Sequence, residues 1–188
     1  MTQLRQLSHA EFVEHLDELL AIYGAAMGYP LDFAVARRPY LRAHVNEPGF
    51  RAFAAFDADH IMGFTYGYLS RTDQWWHSTV RAGISAQTYA QWLPHSYELA
   101  ELHVHPLHQG HGVGRGLLER LLDAVPRDAA RTVLLSTPEV DGLDNAAWRL
   151  YRNTGFQEVA RQFRFPGDAR SFAILGYVLP DTVISSPN

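Results

Sequence analysis

The sequence predicts a mixed α/β fold in which helices pack on a central sheet that is partly parallel. Two observations lead to this prediction. A polar strand beginning at Tyr97 runs through a glycine-rich loop into an amphipathic helix that ends at Val125. Elsewhere, short hydrophobic stretches with a strand pattern alternate with helical patterns, and strands separated by helices are typical of layered folds with parallel neighbours in the sheet.

Length and composition limit the classes of protein to which the chain can belong. Its 188 residues, of which 47% are hydrophobic, fit one globular domain over 1–180 followed by a loose C-terminal tail at 181–188. The absence of cysteine excludes a disulfide scaffold and a cysteine nucleophile. A formal net charge of −4 argues against nucleic acid or an anionic membrane as the main partner.

The sequence also indicates where the protein works. No stretch approaches the ~18 uninterrupted apolar residues of a membrane span. The N-terminal segment contains no apolar signal-peptide core. We therefore expect a cytoplasmic protein.

Two helices and two strands are predicted in the first seventy residues. Ser8 is a suitable N-cap for a helix over 8–28, because Glu11 completes a capping box and apolar residues recur at helical spacing. A second helix over 32–45 is interrupted near Pro39. Two strands follow, namely Arg51–Phe56 and Ile61–Leu69.

The stretch 70–96 is interpreted as an insertion between the third and fourth strands. Within it, Ala86–Leu93 is predicted as a short helix that ends at Pro94. The stretch also holds several large aromatic residues. Such clusters usually serve core packing, and the alternative is that they line a substrate pocket.

The last third of the chain is predicted to continue the sheet. A buried strand over Arg131–Ser136 precedes a helix that begins at about Asp144 and ends at Gly155. The final strand pair comprises Phe156–Phe165 and Ser171–Leu179. No internal repeat or linker interrupts this order, which is why we predict one domain.

The glycine-rich loop has glycine at positions 110, 112, 114 and 116, directly before a helix. A helix start presents unpaired backbone N–H groups and a partial positive charge, and glycine lets an anion approach them closely. The sequence therefore predicts a phosphate-binding loop. It is not a Walker loop, since no Lys-Ser/Thr pair follows, and the spacing does not match a dinucleotide fingerprint.

Two motifs identify a family. The pattern Gln109-x-x-Gly112-x-Gly114, preceded by Glu101–Pro106, resembles the acetyl-CoA-binding motif and fourth strand of the GNAT N-acetyltransferase superfamily. The segment Asn145–Phe156 is similar to a later helix of that family, although Trp148 stands where a small residue is commoner. The resemblance implies a mostly antiparallel central sheet with a parallel, splayed strand pair, flanked by helices.

The resemblance also implies acetyl-CoA as the acyl donor and assigns residues to it. Backbone N–H groups of the loop would hold the pyrophosphate, the backbone of β-strand residues before the loop would pair with pantetheine, and Asn145 would donate to the cofactor. The implied cofactor-binding residues are Leu102, His103, Val104, Gln109, Gly110, His111, Gly112, Val113, Gly114, Arg115 and Asn145.

Transfer of an acyl group to an amine requires a proton acceptor, because an amine with a pKa near ~10 is mostly protonated at neutral pH. The resemblance assigns this role to Glu98, whose pKa would have to rise on burial, and it assigns protonation of the leaving thiolate to Tyr151. Glu101 is the alternative carboxylate, and a histidine base is a further alternative. His103 and His105 could share a face and bind zinc, but we predict no metal, because the sequence offers them no clear carboxylate partner.

The predicted function is acetyl-CoA-dependent N-acetylation of a primary amine of a small molecule or peptide by direct transfer. Two alternatives stay open: a non-catalytic acyl-CoA sensor, and a transferase that uses a longer acyl-CoA. The sequence does not name the acceptor, and a homodimer formed through the C-terminal strands is an expectation. No nucleic-acid or membrane partner is predicted.

Overall fold

The computed structural model describes residues 2–139 and 145–180, whose contacts divide them into two compact units. Unit 1 comprises 2–69 and 99–125, and unit 2 comprises 70–98 and the described residues from 126 onward. The predicted tail at 181–188 and the predicted helix start at Asp144 lie outside the described residues. The expectation of a single domain stays a prediction.

The described residues form seven strands and eight α-helices. The strands are β1 Gln3–Leu7, β2 Arg51–Asp57, β3 His60–Leu69, β4 Ser96–Val104, β5 Thr132–Pro138, β6 Gln157–Phe163 and β7 Phe172–Val178. The helices are α1 His9–Glu14, α2 Leu16–Met27, α3 Leu31–Val35, α4 Arg38–His44, α5 Trp75–Gly83, α6 Ala86–Trp92, α7 Val113–Ala124 and α8 Ala146–Thr154. In the described part of the chain, none of them combines the length and apolarity that a membrane crossing needs.

In unit 1, strands β1, β2 and β3 pair antiparallel, and the second half of β4 lies beside β3. The hydroxyl of Thr65 on β3 donates to the carbonyl oxygen of Glu101 on β4 over 2.9 Å. The apolar faces of α1 and α2 pack against this part of the sheet because their large side chains recur at helical spacing. The core that results contains the fully buried Phe12, Leu16, Leu20, Phe64 and Tyr66.

In unit 2, the first residues of β4, Ser96–Glu98, pair in parallel with Thr132–Leu134 of β5. Strand β5 pairs antiparallel with β7, and β7 pairs antiparallel with β6. Helices α5 and α6 contribute to a separate core, whose members include Val80, Trp92, Leu93, Leu134 and Ile174.

Strand β4 belongs to both units, and the seven strands have the order β1-β2-β3-β4-β5-β7-β6. The predicted fold class, a mixed and mostly antiparallel sheet with a parallel strand pair and flanking helices, is confirmed. The three registered parallel pairs end at Glu98 and Leu134. The splay of the pair beyond them stays a prediction.

The N-terminal elements differ in part from those predicted. The capping box of Ser8 and Glu11 is present, but the helix expected over 8–28 is broken at His15 into α1 and α2. The interruption predicted near Pro39 occurs just before it, so that proline stands in the first turn of α4, where a missing N–H costs nothing. Strand β1 and helix α5 were not predicted.

Candidate functional site

The glycine-rich loop of unit 1 adopts the backbone geometry that a phosphate-binding loop needs. Gly110 and Gly112 have φ angles of 79° and 80°, in the left-handed region that favours glycine. A Cβ placed on either would meet no described atom within 4 Å, so the backbone is approachable from outside. Gly112 is the N-cap of α7 and provides no side-chain cap, and no acidic residue stands in the first turn. The helix start therefore keeps its donors and its partial positive charge for an anion.

Gln109 connects this loop to strand β4. Its side-chain Nε2 donates to the carbonyl oxygen of Val104 over 2.9 Å. Between the two residues, Pro106–His108 form a short 3-10 helix, and Nδ1 of His105 accepts from the backbone N–H of Leu107 over 3.3 Å. The side chain of Gln109 thus positions the loop. The sequence predicted only that this residue binds the cofactor.

Helix α7 is fixed by its apolar face, on which Val113, Leu117, Leu118, Leu121 and Leu122 are buried. The side chain of Val113 therefore packs in the core, and only the backbone of this residue is available to a ligand. Packing explains why residue 116 is a glycine, because a Cβ there would lie 2.8 Å from Cδ1 of Leu4 on β1. Gly114 and Gly116, which were predicted to lie before the helix, are inside α7, and Gly116 is explained without a ligand. His111 in the loop and Arg115 in the first turn of α7 are both exposed.

The strand that leads into the loop packs closely on β3. A Cβ on Gly63 would lie 2.8 Å from the carbonyl oxygen of His103 and 3.1 Å from Cα of Val104. The N–H of His105 donates to the carbonyl oxygen of Met62 over 2.8 Å. Leu102, His103 and Val104 are each partly buried. The close approach of β4 to β3 therefore explains why residue 63 is a glycine.

A charged cluster on β4 was not predicted from the sequence. Oε1 of Glu101 accepts a hydrogen bond from Nη2 of Arg37 over 2.9 Å, and Oε2 lies 2.5 Å from Nε2 of His103. The Arg37 guanidinium lies over the ring of Tyr23, with 4.9 Å to its centroid. The expectation that His103 lacks a carboxylate partner is wrong, because Glu101 provides one. Among the described residues, however, no group of three His, Asp or Glu side chains could hold a metal ion.

The electrostatics of this cluster bear on the choice of base. Burial alone would raise the pKa of Glu101, but the hydrogen bond from His103 and the charge of Arg37 outweigh it and hold that pKa below its ordinary value. Burial likewise opposes the charge of Arg37, yet Glu101 and Tyr23 raise the pKa of the guanidinium. A carboxylate that these contacts hold in its ionised form is a weak proton acceptor.

The remaining predicted residues lie in unit 2. Glu98 is 6% exposed and stands opposite Leu134 in the parallel pair. Tyr151 is equally buried on α8, where its ring lies 5.5 Å from that of Phe156. Asn145 is the N-cap of α8, with Oδ1 accepting from the N–H of Trp148 over 3.0 Å. Its oxygen is therefore engaged in capping, and its cofactor role stays a prediction.

Trp148, the departure from the family pattern, is fully buried. The guanidinium groups of Arg152 and Arg161 lie 5.1 Å and 5.2 Å from its ring centroids. Arg161 also contacts the carboxylates of Glu139 and Glu158. The large side chain is thus part of the packing of α8 against a charged surface cluster.

The stretch 70–96 forms α5, α6 and the strand start, and most of its large aromatic residues serve packing. Trp76 and Trp92 belong to the core of unit 2, as the packing interpretation expects, whereas Trp75 is exposed and lies 5.7 Å from the ring of Phe165. Nδ1 of the buried His77 lies 2.9 Å from the hydroxyl oxygen of Ser70. Burial lowers the pKa of His77.

Comparison with known proteins places the chain among acetyltransferases. The model of the acetyltransferase (GNAT) family matches residues 16–156. A GCN5-like protein acetyltransferase of Mycobacterium tuberculosis is 36% identical, over 94% of this chain and 98% of that protein.

Solved structures share the fold at lower identity. The ribosomal-protein-alanine N-acetyltransferase of Brucella melitensis is 21% identical with a TM-score of 0.65, over 94% of this chain and 99% of that one. The PaiA N-acetyltransferase of Thermoplasma acidophilum, solved in complex with coenzyme A, is 15% identical with a TM-score of 0.61, over 95% and 99% of the two chains. At these identities the structures establish a common fold and no more.

Proposed function

The chain belongs to the acetyltransferase (GNAT) family, and from this premise we propose that it is an acetyl-CoA-dependent N-acetyltransferase whose acceptor is a primary amine of a peptide or protein. The observation that carries the proposal is the start of α7, where Gly110 and Gly112 leave an uncapped helix terminus open to an anion. Acetyl-CoA would supply a diphosphate for this terminus and an activated acetyl thioester for transfer.

The loop and the end of β4 are the proposed binding elements. The backbone of Gly110, His111, Gly112, Gly114 and Arg115 would hold the diphosphate, while the backbone of Leu102 and Val104 would pair with pantetheine as an added strand does. Gln109 supports this arrangement through its hydrogen bond to Val104. The charged side chain of Arg115 is exposed and available to a phosphate oxygen.

The proposed chemistry is direct attack of the neutral amine on the thioester carbonyl carbon. Glu98 would accept a proton from the nitrogen, and Tyr151 would donate a proton to the thiolate as the C–S bond breaks. The low exposure of both side chains supports these roles, because burial is the usual means of adjusting the pKa of a catalytic group. No covalent enzyme intermediate is needed, and the chain has no cysteine to form one.

A polypeptide acceptor is supported by the surface of α3 and α4 as well as by the relatives. Large contiguous patches of exposed apolar residues are rare on soluble proteins except where something binds. In unit 1, a stretch of ten residues carries Leu31, Phe33, Val35 and Tyr40, with exposed fractions between 41% and 65%. These side chains could contact apolar residues next to the acceptor amine of a peptide.

The test is transfer of acetyl from acetyl-CoA to a library of short peptides that carry either a free N-terminus or an internal lysine, with mass spectrometry as the readout. We expect acetylated products with the wild-type protein and about 100-fold slower formation with Glu98→Gln. Tight coenzyme A binding without transfer to any peptide or small amine would contradict the proposal and favour the acyl-CoA sensor.

Three properties of the proposed enzyme can be tested separately: its acyl group, its location and its oligomeric state. Acetyl is the proposed acyl group, and comparison of rates with acetyl-, propionyl- and succinyl-CoA tests it. Cytoplasmic location and a homodimer stay predictions of the sequence, to be checked by fractionation of cells and by light scattering.

A further inference from the structure

Strand β4 carries a carboxylate–imidazole pair that the proposed roles of Glu98 and Tyr151 do not use. The side chains of Glu101 and His103 are 12% and 11% exposed, and their atoms Oε2 and Nε2 lie 2.5 Å apart. The second carboxylate oxygen accepts from Arg37 over 2.9 Å. The ring of Tyr23 meets that of His103 edge to face at 5.1 Å. The imidazole is therefore held in one orientation by groups from two other parts of unit 1.

The contact with Glu101 determines where the imidazole carries its proton. Because Arg37 and His103 hold the pKa of Glu101 below its ordinary value, the carboxylate is ionised at neutral pH and can only accept. Nε2 of His103 must then be the protonated nitrogen that donates to Oε2. In the neutral ring, Nδ1 keeps its lone pair, and it makes no hydrogen bond to any residue that the structure describes. The pair thus presents an oriented proton acceptor.

The proposed reaction removes two protons from the acceptor nitrogen. An alkylammonium acceptor with a pKa near ~10 must lose one proton before its nitrogen can attack, and the nitrogen must lose a second one as the amide forms. Glu98 is assigned the proton that leaves as the amide forms, and the first proton is assigned to no residue.

We propose that His103 takes the first proton from the acceptor ammonium, and that Glu101 and Arg37 are positioning residues for this step. The inference rests on the proposed N-acetyltransferase function. A proton moves from the ammonium nitrogen to Nδ1 of His103, which leaves a neutral amine and an imidazolium ion. The carboxylate of Glu101 stabilises that ion, and water takes the proton from it afterwards. No oxidant or further reactant is required.

The other charged and titratable groups that face the pair come from two helices, the junction between α3 and α4, and one strand. They are Tyr23 on α2, Arg37 between α3 and α4, His44 on α4 and Tyr66 on β3, which is hydrogen-bonded to His44 at 2.9 Å. Burial raises the pKa of Tyr23 to about 12 and lowers the pKa of His44.

The first experiment varies the basicity of the acceptor. The probes are a lysine-containing peptide and the same peptide with 4-aminophenylalanine in place of lysine, because an aryl amine is neutral at pH 7 and needs no deprotonation before attack. We expect His103→Gln to lower kcat about 100-fold with the lysine peptide and to leave kcat with the aryl-amine peptide nearly unchanged. His60→Gln, at the exposed start of β3, is the matched control and should affect neither rate.

The second experiment measures kcat/KM with the lysine peptide as a function of pH. Glu101→Gln removes the charge that stabilises the imidazolium ion, so the acid limb of the profile should move to lower pH. Arg37→Gln removes the charge that opposes that ion, so the limb should move to higher pH. A purely structural role of the cluster would lower the rates without moving the limb in opposite directions.

The outcomes separate this inference from the function on which it rests. If the wild-type protein acetylates no amine, the proposed function is wrong, and the role of His103 falls with it. If the wild type is active but His103→Gln slows both peptides equally, or slows neither, the inference alone is wrong. Should His103→Gln fail to fold, the pH profiles of Glu101→Gln and Arg37→Gln provide the test. Shifts of the acid limb in opposite directions support the inference, and unmoved profiles overturn it.

Discussion

The side-chain amide of Gln109 donates a hydrogen bond of 2.9 Å to the carbonyl oxygen of Val104, so the glycine-rich loop is tied to the end of β4. We expect Gln109→Ala to weaken coenzyme A binding about threefold to tenfold, since an exposed hydrogen bond of this kind contributes about 1 kcal/mol. Calorimetry with coenzyme A provides the measurement. Gln87→Ala, at an exposed position of α6, is the control, and equal affinities for the two variants would contradict the proposed tie.

Gly112→Asp should abolish measurable binding of coenzyme A. The substitution places a negative charge at the start of α7, where the diphosphate is proposed to bind, and it also strains a residue whose φ is 80°. Gly112→Asn separates the two effects, because asparagine has the same shape and tolerates this backbone region but carries no charge. We expect Asn to retain far more affinity than Asp, and similar losses for both would argue for strain alone.

Tyr151→Phe should lower kcat while leaving the KM for acetyl-CoA nearly unchanged. The hydroxyl is proposed to protonate the leaving thiolate, and because thiolates leave fairly readily, the loss should be partial rather than complete. Steady-state kinetics with a peptide acceptor provide the measurement. A variant with wild-type kcat would remove Tyr151 from the catalytic residues.

Gly176→Ala should destabilise the protein by about 1–3 kcal/mol, the usual range for overpacking a core. A Cβ at this position of β7 would lie 2.4 Å from Cζ3 of Trp92 and 2.8 Å from Cγ2 of Val159. The free energy of unfolding from urea denaturation tests this. Trp92→Phe removes the clashing ring atoms, so the double variant should be less destabilised than the sum of the two single changes.

Stability should fall on the acid side partly because of His77. Burial lowers the pKa of this side chain in the folded protein. As pH drops below the ordinary histidine pKa of about 6.5, the unfolded chain binds a proton that the folded chain excludes, so the free energy of unfolding decreases until the folded pKa is passed. His77→Asn should make that free energy less dependent on pH between 6.5 and 5. The exposed His60→Asn should leave the slope of the wild type intact.

The elements predicted correctly are those whose signals are local. The capping box at Ser8, the amphipathic face of α7 and the stop at Gly155 each depend on residues a few positions apart, and all three are present. Strand β1 was missed because it lies at the edge of the sheet, where only Leu7 is buried and no alternation of apolar residues marks the strand. Helix α5 was missed because tryptophan, histidine, serine and threonine are weak helix formers.

The loop of the candidate site could be predicted from the sequence, but the cluster on β4 could not. Gly112 and its neighbours form a contiguous motif, whereas Arg37 and Glu101 are separated by 64 positions and meet only after folding. Nothing in the residues around Arg37 indicates an ion pair with β4. A pairing of this kind becomes visible only when the packing of the α3–α4 junction on β4 is known.

Leu4 on β1 packs beside Gly116 of α7, so changes at the start of the chain can affect this helix. This leucine lies more than a hundred positions before Gly116 in the chain. It supports α7, whose first turn is proposed to bind the acyl donor. A shortened protein beginning after Leu7, or a bulky N-terminal fusion that displaces the first strand, should lose affinity for the donor while every residue with a proposed chemical role remains in place. Affinity tags are therefore better attached at the other terminus.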